Sequence, residues 1–256
     1  MQDRNWLLPP VERCYQYITD EMRLGHALRF SLINQTGHAQ LMRFAADKLG
    51  ELGKRDVQAQ LLRFASDNTE LNELCAQTAI QLVASKFDLL HQHLLVNMWG
   101  ALSTGVSDAI ALCLHHDSRA RAFARSRGIK RIDDATSSIS KARTFSGRLQ
   151  KESLDGLPVH EAWSELLDGV GMPLLKPTSD FSEIEEVRVV RNCVVHTDGI
   201  VDDYTTRQVP SLLPLLGLRV TIDEQDHFRQ TNAITKFMMA FFEATLLSRH
   251  TLGEPE

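Results

Sequence analysis

Residues 69–116 read TELNELCAQTAIQLVASKFDLLHQHLLVNMWGALSTGVSDAIALCLHH. Apolar side chains recur in this stretch every three or four residues, which places them along one face of an α-helix. The spacing continues for nearly fifty residues and is weakened only by Gly100 and Gly105, so we expect a long helix that kinks or splits near these glycines. Similar spacing recurs almost everywhere in the chain, and β-like runs are short. The sequence therefore predicts an all-α fold.

The chain before this stretch has the pattern of a helical N-terminal segment. The predicted helices there span residues 11–33, 38–49 and 56–66. The nonapeptide AQLMRFAAD at 39–47 recurs as AQLLRFASD at 59–67, which indicates either a duplicated helical hairpin or a coincidence. We divide the chain into an N-terminal helical segment, 1–68, and a helical domain, 69–256.

The C-terminal half is predicted to hold shorter helices and one β-like piece. The expected helices span residues 134–150, 158–170, 180–198 and 223–248, with a loop around residue 128. Ser179 or Asp180 would cap the third of these, and Gly199 would end it. Residues 218–222 alternate with period two and could pair with 199–201 as, at most, a short β-hairpin.

Composition points to an ordinary globular protein of the cytoplasm. The chain has 256 residues, of which 43% are hydrophobic, so it can bury a sizeable core without disulfides or metal. The four cysteines (Cys14, Cys75, Cys113, Cys193) show no disulfide framework and no zinc-ligand spacing. We expect a reducing cytoplasm, no leader segment and no membrane anchor.

Charge is distributed unevenly along the chain. The net charge is −5, yet residues 119–151 hold ten basic and two acidic side chains, a local charge of +8. Such a stretch is typical of a surface that holds phosphates, although a solvated helix surface would look the same. The candidate RNA-binding residues are Arg119, Arg121, Arg125, Arg127, Lys130, Arg131, Lys141, Arg143 and Arg148.

The chemistry-bearing motif is RNCVVH, residues 191–196. On a helix drawn from Ile184, the apolar stripe is centred on the position of Arg191, where a charge is unfavourable unless it meets a carboxylate, a phosphate or an interface. Asn192 and His196 lie four residues apart and share a face, so three polar groups can converge. The alternative is structural: Arg191 would pair with Glu185 or Asp202, and His196 would be an ordinary helix-end histidine.

These residue types suit the cleavage of RNA without a metal ion. The guanidinium fork of Arg191 matches a phosphate, and Asn192 can hydrogen-bond a non-bridging oxygen. His196 can take a proton from a ribose 2′-hydroxyl or give one to the leaving 5′-oxygen. We therefore take Arg191, Asn192 and His196 as the candidate catalytic residues.

The motif and its surroundings resemble the HEPN superfamily. Arg191, Asn192 and His196 match its R-x4-H signature, and they follow an acidic amphipathic lead-in, residues 183–190, and precede a TDG turn and a long apolar helix. The similarity covers about residues 75–250. It implies an up-and-down helical bundle that forms a homodimer, in which two such motifs face one composite cleft.

The resemblance also implies a function. Active HEPN members are metal-independent endoribonucleases that leave a 2′,3′-cyclic phosphate, and many are toxins or effectors of antiviral defence, which predicts RNA and an antitoxin or defence-system protein as partners. Two alternatives stay open: a non-catalytic HEPN module that binds RNA or a nucleotide, or serves as one subunit of a two-component system, and a helical scaffold in which the motif is structural. No cofactor is expected.

Other candidate sites are weaker. His91 with His93, and His115 with His116, do not share a helix face, so we expect surface or boundary histidines rather than metal ligands. Trp99 is expected in the core. Neither a glycine-rich phosphate loop nor an HExxH zinc motif occurs in the sequence.

Overall fold

The computed structural model describes residues 6–51, 58–59, 69–153 and 156–248, and these form an all-α helical bundle. The α-helices, numbered in chain order, are α1 (Leu8–Glu51), α2 (Thr69–Ala84), α3 (Asp88–His116), α4 (Ser118–Ser126), α5 (Ile139–Ser153), α6 (Val159–Gly169), α7 (Glu183–His196), α8 (Asp203–Gln208) and α9 (Glu224–Leu246). Short 3-10 helices span Ile132–Ser137, Thr178–Phe181 and Pro210–Leu215. The all-α prediction is confirmed.

Helix α3 is the central element of the bundle. It packs against α1, α5, α7 and α9, and Leu95, Leu102, Ile110 and Leu114 along it are completely buried. Trp99 is also in the core, where its ring stacks on that of Trp163 in α6 at 5.3 Å between centroids. The apolar side chains of residues 88–116 are therefore buried on several sides of the helix, as expected of a helix at the centre of a bundle.

The two glycines of α3 do not interrupt it, so the predicted split near them is wrong. Gly105 faces α1, and a Cβ atom there would meet the Cβ and Sγ atoms of Cys14 at 2.8 Å. The missing side chain lets the two helices approach closely. The actual break lies at Lys86 and Phe87, whose φ angles of 53° and 62° are left-handed and separate α2 from α3.

Helix α1 is continuous from Leu8 to Glu51, so the predicted break before residue 38 is wrong. A single glycine weakens a helix without ending it. The start of α1 belongs to the common core, with Leu7, Val11 and Ile18 buried beside α3. The predicted helix 56–66 and the second copy of the repeat lie almost entirely outside the described residues.

The C-terminal helices follow the predicted order with shifted ends. A 3-10 helix precedes α5, which starts at Ile139 rather than residue 134, because Ser138 is extended. The predicted β-hairpin reduces to isolated bridges, Ile200 with Arg219 and Val201 with Leu216. The predicted helix at 223–248 is α9, which begins after Asp223, and the Asp223 carboxylate accepts hydrogen bonds from its first turn.

Among the helices of the described residues, none combines the length and the apolar character needed to cross a membrane.

Candidate functional site

One face of helix α7 packs against the core, and the polar side chains of the motif lie on the other side of the helix. Ile184, Val187, Val190 and Cys193 are buried, and the helix packs on α3, α6, α8 and α9. Arg191 is only half-buried, so the prediction that it occupies the centre of the buried stripe is wrong. The stripe is centred near Val190, because Cys193 and not Val195 completes it.

Arg191 makes one hydrogen bond and has capacity for more. Its Nη1 donates to Asn192 Oδ1 at 3.0 Å, while its Nε is buried and has no hydrogen-bond partner among the described residues. Within the described part of the chain, no carboxylate lies within ion-pair distance of this guanidinium. Since a buried donor without an acceptor is unfavourable by about 1–3 kcal/mol, the group is suited to bind an added anion.

The carboxylates that could have neutralised Arg191 are engaged elsewhere. Glu185 accepts from the backbone N–H of Val159 at 2.7 Å, at the start of α6, and pairs with Arg188. Asp202 caps α8, where hydrogen bonds from the Thr205 hydroxyl and amide hold the pKa of Asp202 below its ordinary value. The alternative in which Arg191 forms an ion pair with one of these acids is therefore not found.

His196 occupies the last position of α7 and is exposed. The turn after it is fixed: Thr197 Oγ1 donates to Ile200 O at 2.7 Å, and Gly199 N donates to Cys193 O at 3.0 Å. Gly199 has a φ of 81°, which favours glycine and ends the helix as predicted. The imidazole itself has no hydrogen-bond partner among the described residues, so both ring nitrogens are accessible.

Two further residues adjoin the motif and were missed from the sequence. Arg188, one turn before Asn192, is held by Glu185; burial opposes its charge, but the carboxylate and the Tyr204 side chain keep the pKa of Arg188 above its ordinary value. The i,i+3 spacing of Glu185 and Arg188 could have indicated this pair. Nothing in the sequence placed Tyr204, from α8, beside α7.

The basic stretch is partly neutralised within the fold. Four of its arginines pair with carboxylates: Arg125 with Asp133, Arg127 with Glu165, Arg131 with Asp134, and Arg143 with Asp108. Arg121 donates to carbonyls at the end of α3. Within the described part, the side chains of Lys130 and Lys141 have no ion-pair partner. The stretch packs mainly on α3, and its role in RNA binding stays a prediction.

The paired histidines of α3 differ from expectation at one position. His91 is fully buried, so its assignment to the surface or boundary is wrong. Its Nδ1 lies 2.8 Å from Ile222 O, and its ring stacks on His227 at 4.4 Å. Across the described residues, no three His, Cys, Asp or Glu side chains are grouped so as to hold a metal ion.

Exposed apolar side chains lie next to the motif. Val201 N donates to Leu218 O at 3.0 Å and Gly217 N donates to Val201 O at 2.8 Å, which joins the chain after α7 to the chain before α9. We call the exposed residues of this region the apolar rim: Val195, Ile200, Leu213, Leu216 and Leu218. Several neighbouring exposed aliphatic side chains are typical of a surface that binds another protein.

The arrangement places an arginine suited to bind an anion, an amide hydrogen-bonded to it and an exposed imidazole on the last two turns of one helix, beside an apolar surface. It could hold a phosphate group and exchange a proton next to it. Comparison with known proteins finds no matching family model, no matching curated protein and no matching solved structure.

Proposed function

We propose that the polar face of α7 is half of a metal-independent, RNA-cleaving site of the HEPN type. The observation that carries this proposal is the state of Arg191: a half-buried guanidinium, bonded only to Asn192 and without a carboxylate partner among the described residues. The neighbouring arginines Arg188 and Arg229 are both paired with glutamates. Arg191 is thus the arginine of this helix that is available to a phosphate.

In the proposed reaction Arg191 and the Asn192 amide bind the non-bridging oxygens of a phosphodiester. His196 takes the proton of the ribose 2′-hydroxyl, whose oxygen attacks phosphorus while the bond to the 5′-oxygen breaks. The leaving 5′-oxygen receives a proton, from the second His196 in a dimer, and the products are a 2′,3′-cyclic phosphate and a 5′-hydroxyl. The positive charge of Arg191 stabilises the additional negative charge on the oxygens of the pentacoordinate phosphorane.

A second copy of the chain completes the site in this proposal. The apolar rim supports it, since these side chains flank the end of α7 and would be covered in an isologous dimer. Two His196 residues would then face one cleft. We place the activity in the cytoplasm, with RNA as substrate and a toxin or antiviral effector role, restrained by an antitoxin or defence-system protein.

One observation favours a second candidate, a module that binds RNA or a nucleotide without cutting it. A catalytic histidine is usually oriented by a second group, and the ring of His196 has none among the described residues. Binding needs only Arg191 and Asn192, whereas cleavage also needs a positioned imidazole.

The deciding experiment is incubation of purified protein with total RNA in EDTA, with Arg191→Ala and His196→Ala in parallel. Cleavage that both substitutions abolish supports the nuclease. Binding that depends on Arg191, without cleavage, supports the second candidate. Matched controls are Arg23→Ala, at an exposed arginine of α1, and His93→Ala, at an exposed histidine of α3. If neither motif substitution changes cleavage or binding, both functions are wrong.

A further inference from the structure

A large cleft lies far along the chain from the motif, between α1, the α2–α3 turn and the start of α9. Its volume is about 780 Å³, which is within the range of sites for small organic ligands. Met22 and Arg29 line it from α1, Phe87 from the turn, and His227 and Phe228 from α9. We call it the α1/α9 cleft.

Unpaired polar atoms are concentrated around this cleft. Arg29 Nε, His227 Nδ1 and Thr231 Oγ1 belong to residues that line it, and each atom is buried without a hydrogen-bond partner among the residues that the structure describes. Behind His227, the fully buried His91 has an unpaired Nε2. Thr231 is itself only 8% exposed. Each such atom is unfavourable by about 1–3 kcal/mol, so their grouping at one cleft indicates that something else satisfies them.

The aromatic side chains that line the cleft could stack on a planar ring. Phe228 is 67% exposed at its edge, and Phe87 is buried at its inner wall with the Arg29 guanidinium 5.3 Å from the ring centre. Phe87 also holds a left-handed φ of 62°, an unfavourable conformation for an aromatic residue that the neighbouring packing must maintain. An aromatic ligand could stack on Phe228 and present its edge to the polar atoms.

The charges of the cleft are balanced, which favours an uncharged ligand. Arg29 pairs with Glu224 at 2.6 Å, and Lys86 faces Asp223. Both imidazoles favour the neutral form: burial, with smaller effects from its neighbours, lowers the pKa of the half-buried His227 to about 4, and burial also lowers the pKa of His91. A neutral imidazole offers one donor and one acceptor nitrogen, as a heterocycle requires of its partner.

We infer that the α1/α9 cleft binds a neutral, planar heteroaromatic molecule, with its ring against Phe228 and its polar edge toward Thr231, His227 and Arg29. This inference is independent of the proposed ribonuclease site. In this inference the unpaired atoms that line the cleft form hydrogen bonds with the polar edge of the ligand.

The test is titration of the full chain with adenine, nicotinamide and indole, followed by calorimetry and saturation-transfer NMR. We expect adenine or nicotinamide to bind with a Kd below about 1 mM. Thr231→Val and Phe228→Ala should each weaken it about tenfold. Phe30→Ala, at an aromatic residue of α1 that is 71% exposed and outside the cleft, is the matched control and should have no effect. Arg191→Ala should leave binding unchanged.

Three results would overturn the inference. The first is that neither adenine nor nicotinamide binds at about 5 mM, a concentration at which even a weak site would be detected. Indole, which lacks an acceptor edge, could bind as tightly as adenine, and then polar recognition is wrong. Thr231→Val could leave the Kd unchanged, and then the unpaired atoms hold water only. Because Phe228 is exposed, we expect Phe228→Ala to fold normally. It therefore tests the inference even if Thr231→Val does not fold.

Discussion

At the scale of single residues, the arginines on and beside α7 differ in the groups that they contact. Arg188 pairs with Glu185 within α7, whereas Arg229 of α9 pairs with Glu186 and so joins α9 to α7. Glu185 in turn accepts from the first N–H of α6 at 2.7 Å, so the acidic lead-in of the motif anchors two helices. Arg191 does neither, since its one hydrogen bond is to the adjacent Asn192. Its guanidinium is therefore not part of the ion pairs that hold this helix, which agrees with the proposed role in binding.

This difference predicts the result of two matched substitutions. Arg191→Met should leave the free energy of unfolding unchanged or slightly raised, because it removes a buried donor that has no acceptor. Arg188→Met should lower it by about 2 kcal/mol, because it leaves the Glu185 carboxylate, whose side chain is only 12% exposed, without its cation. Urea unfolding measures both values. Equal losses in the two variants would mean that Arg191 is structural.

A second residue-scale prediction concerns acid stability. Burial, followed by the nearby His91 and Arg29, lowers the pKa of His227 to about 4, against about 6.5 in an unfolded chain. Between these values the unfolded state binds more protons, so stability is present above pH 6.5 and is lost as pH falls toward 4. The ring is partly open to solvent, which weakens the effect; we expect about 1 kcal/mol, or a Tm lower by roughly 2–4 °C at pH 5 than at pH 7. His227→Gln should reduce this fall, and His93→Gln should not.

At the scale of elements, the spacing of helices depends on which glycines face a neighbour. Gly105→Ala should destabilise the protein by about 1–3 kcal/mol, since the new Cβ would lie 2.8 Å from Cys14 and force α1 and α3 apart. Gly100→Ala, in the same helix with no atom within 4 Å of the new Cβ, should stabilise it by roughly 0.5–1 kcal/mol through helix propensity. Thermal unfolding of the two variants compares them. A loss of stability at Gly100 would contradict this account.

The same helices show which features of the fold could be predicted from the sequence and which could not. The helical spacing around residues 88–116 and the turn at Gly199 depend on local preferences, and both were predicted correctly. The position of the helix break was not, because Phe87 adopts its left-handed φ against the preferences of its own residue type. The burial of His91 was missed for a similar reason: its partners, Ile222 and His227, are more than 130 residues away in the chain. Contacts made across the fold have no local signal.

At the scale of the whole molecule, the two candidate sites lie on different helices and differ in kind. The motif on α7 lies beside the apolar rim, where His196 is exposed and Arg191 and Asn192 are half-buried. The α1/α9 cleft lies between helices, and its unpaired atoms are buried in its walls. The first arrangement suits a macromolecular substrate shared between two chains, and the second suits a small molecule held by one. The oligomeric state therefore separates them: dissociation should affect the first site and spare the second.

Leu218→Glu tests this separation. Leu218 is 57% exposed in the apolar rim, so a glutamate there should not disturb the fold, but it would place a charge in the proposed dimer interface. We expect the variant to be monomeric by light scattering at micromolar concentration and to cleave RNA about tenfold more slowly or worse, since each site would lose its partner. Leu89→Glu, at an equally exposed leucine of α3, is the control and should remain a dimer with full activity. Heteroaromatic binding in the α1/α9 cleft should be the same in both variants. A monomeric variant with full cleavage would show that one chain suffices, and a variant that stays dimeric would place the interface elsewhere.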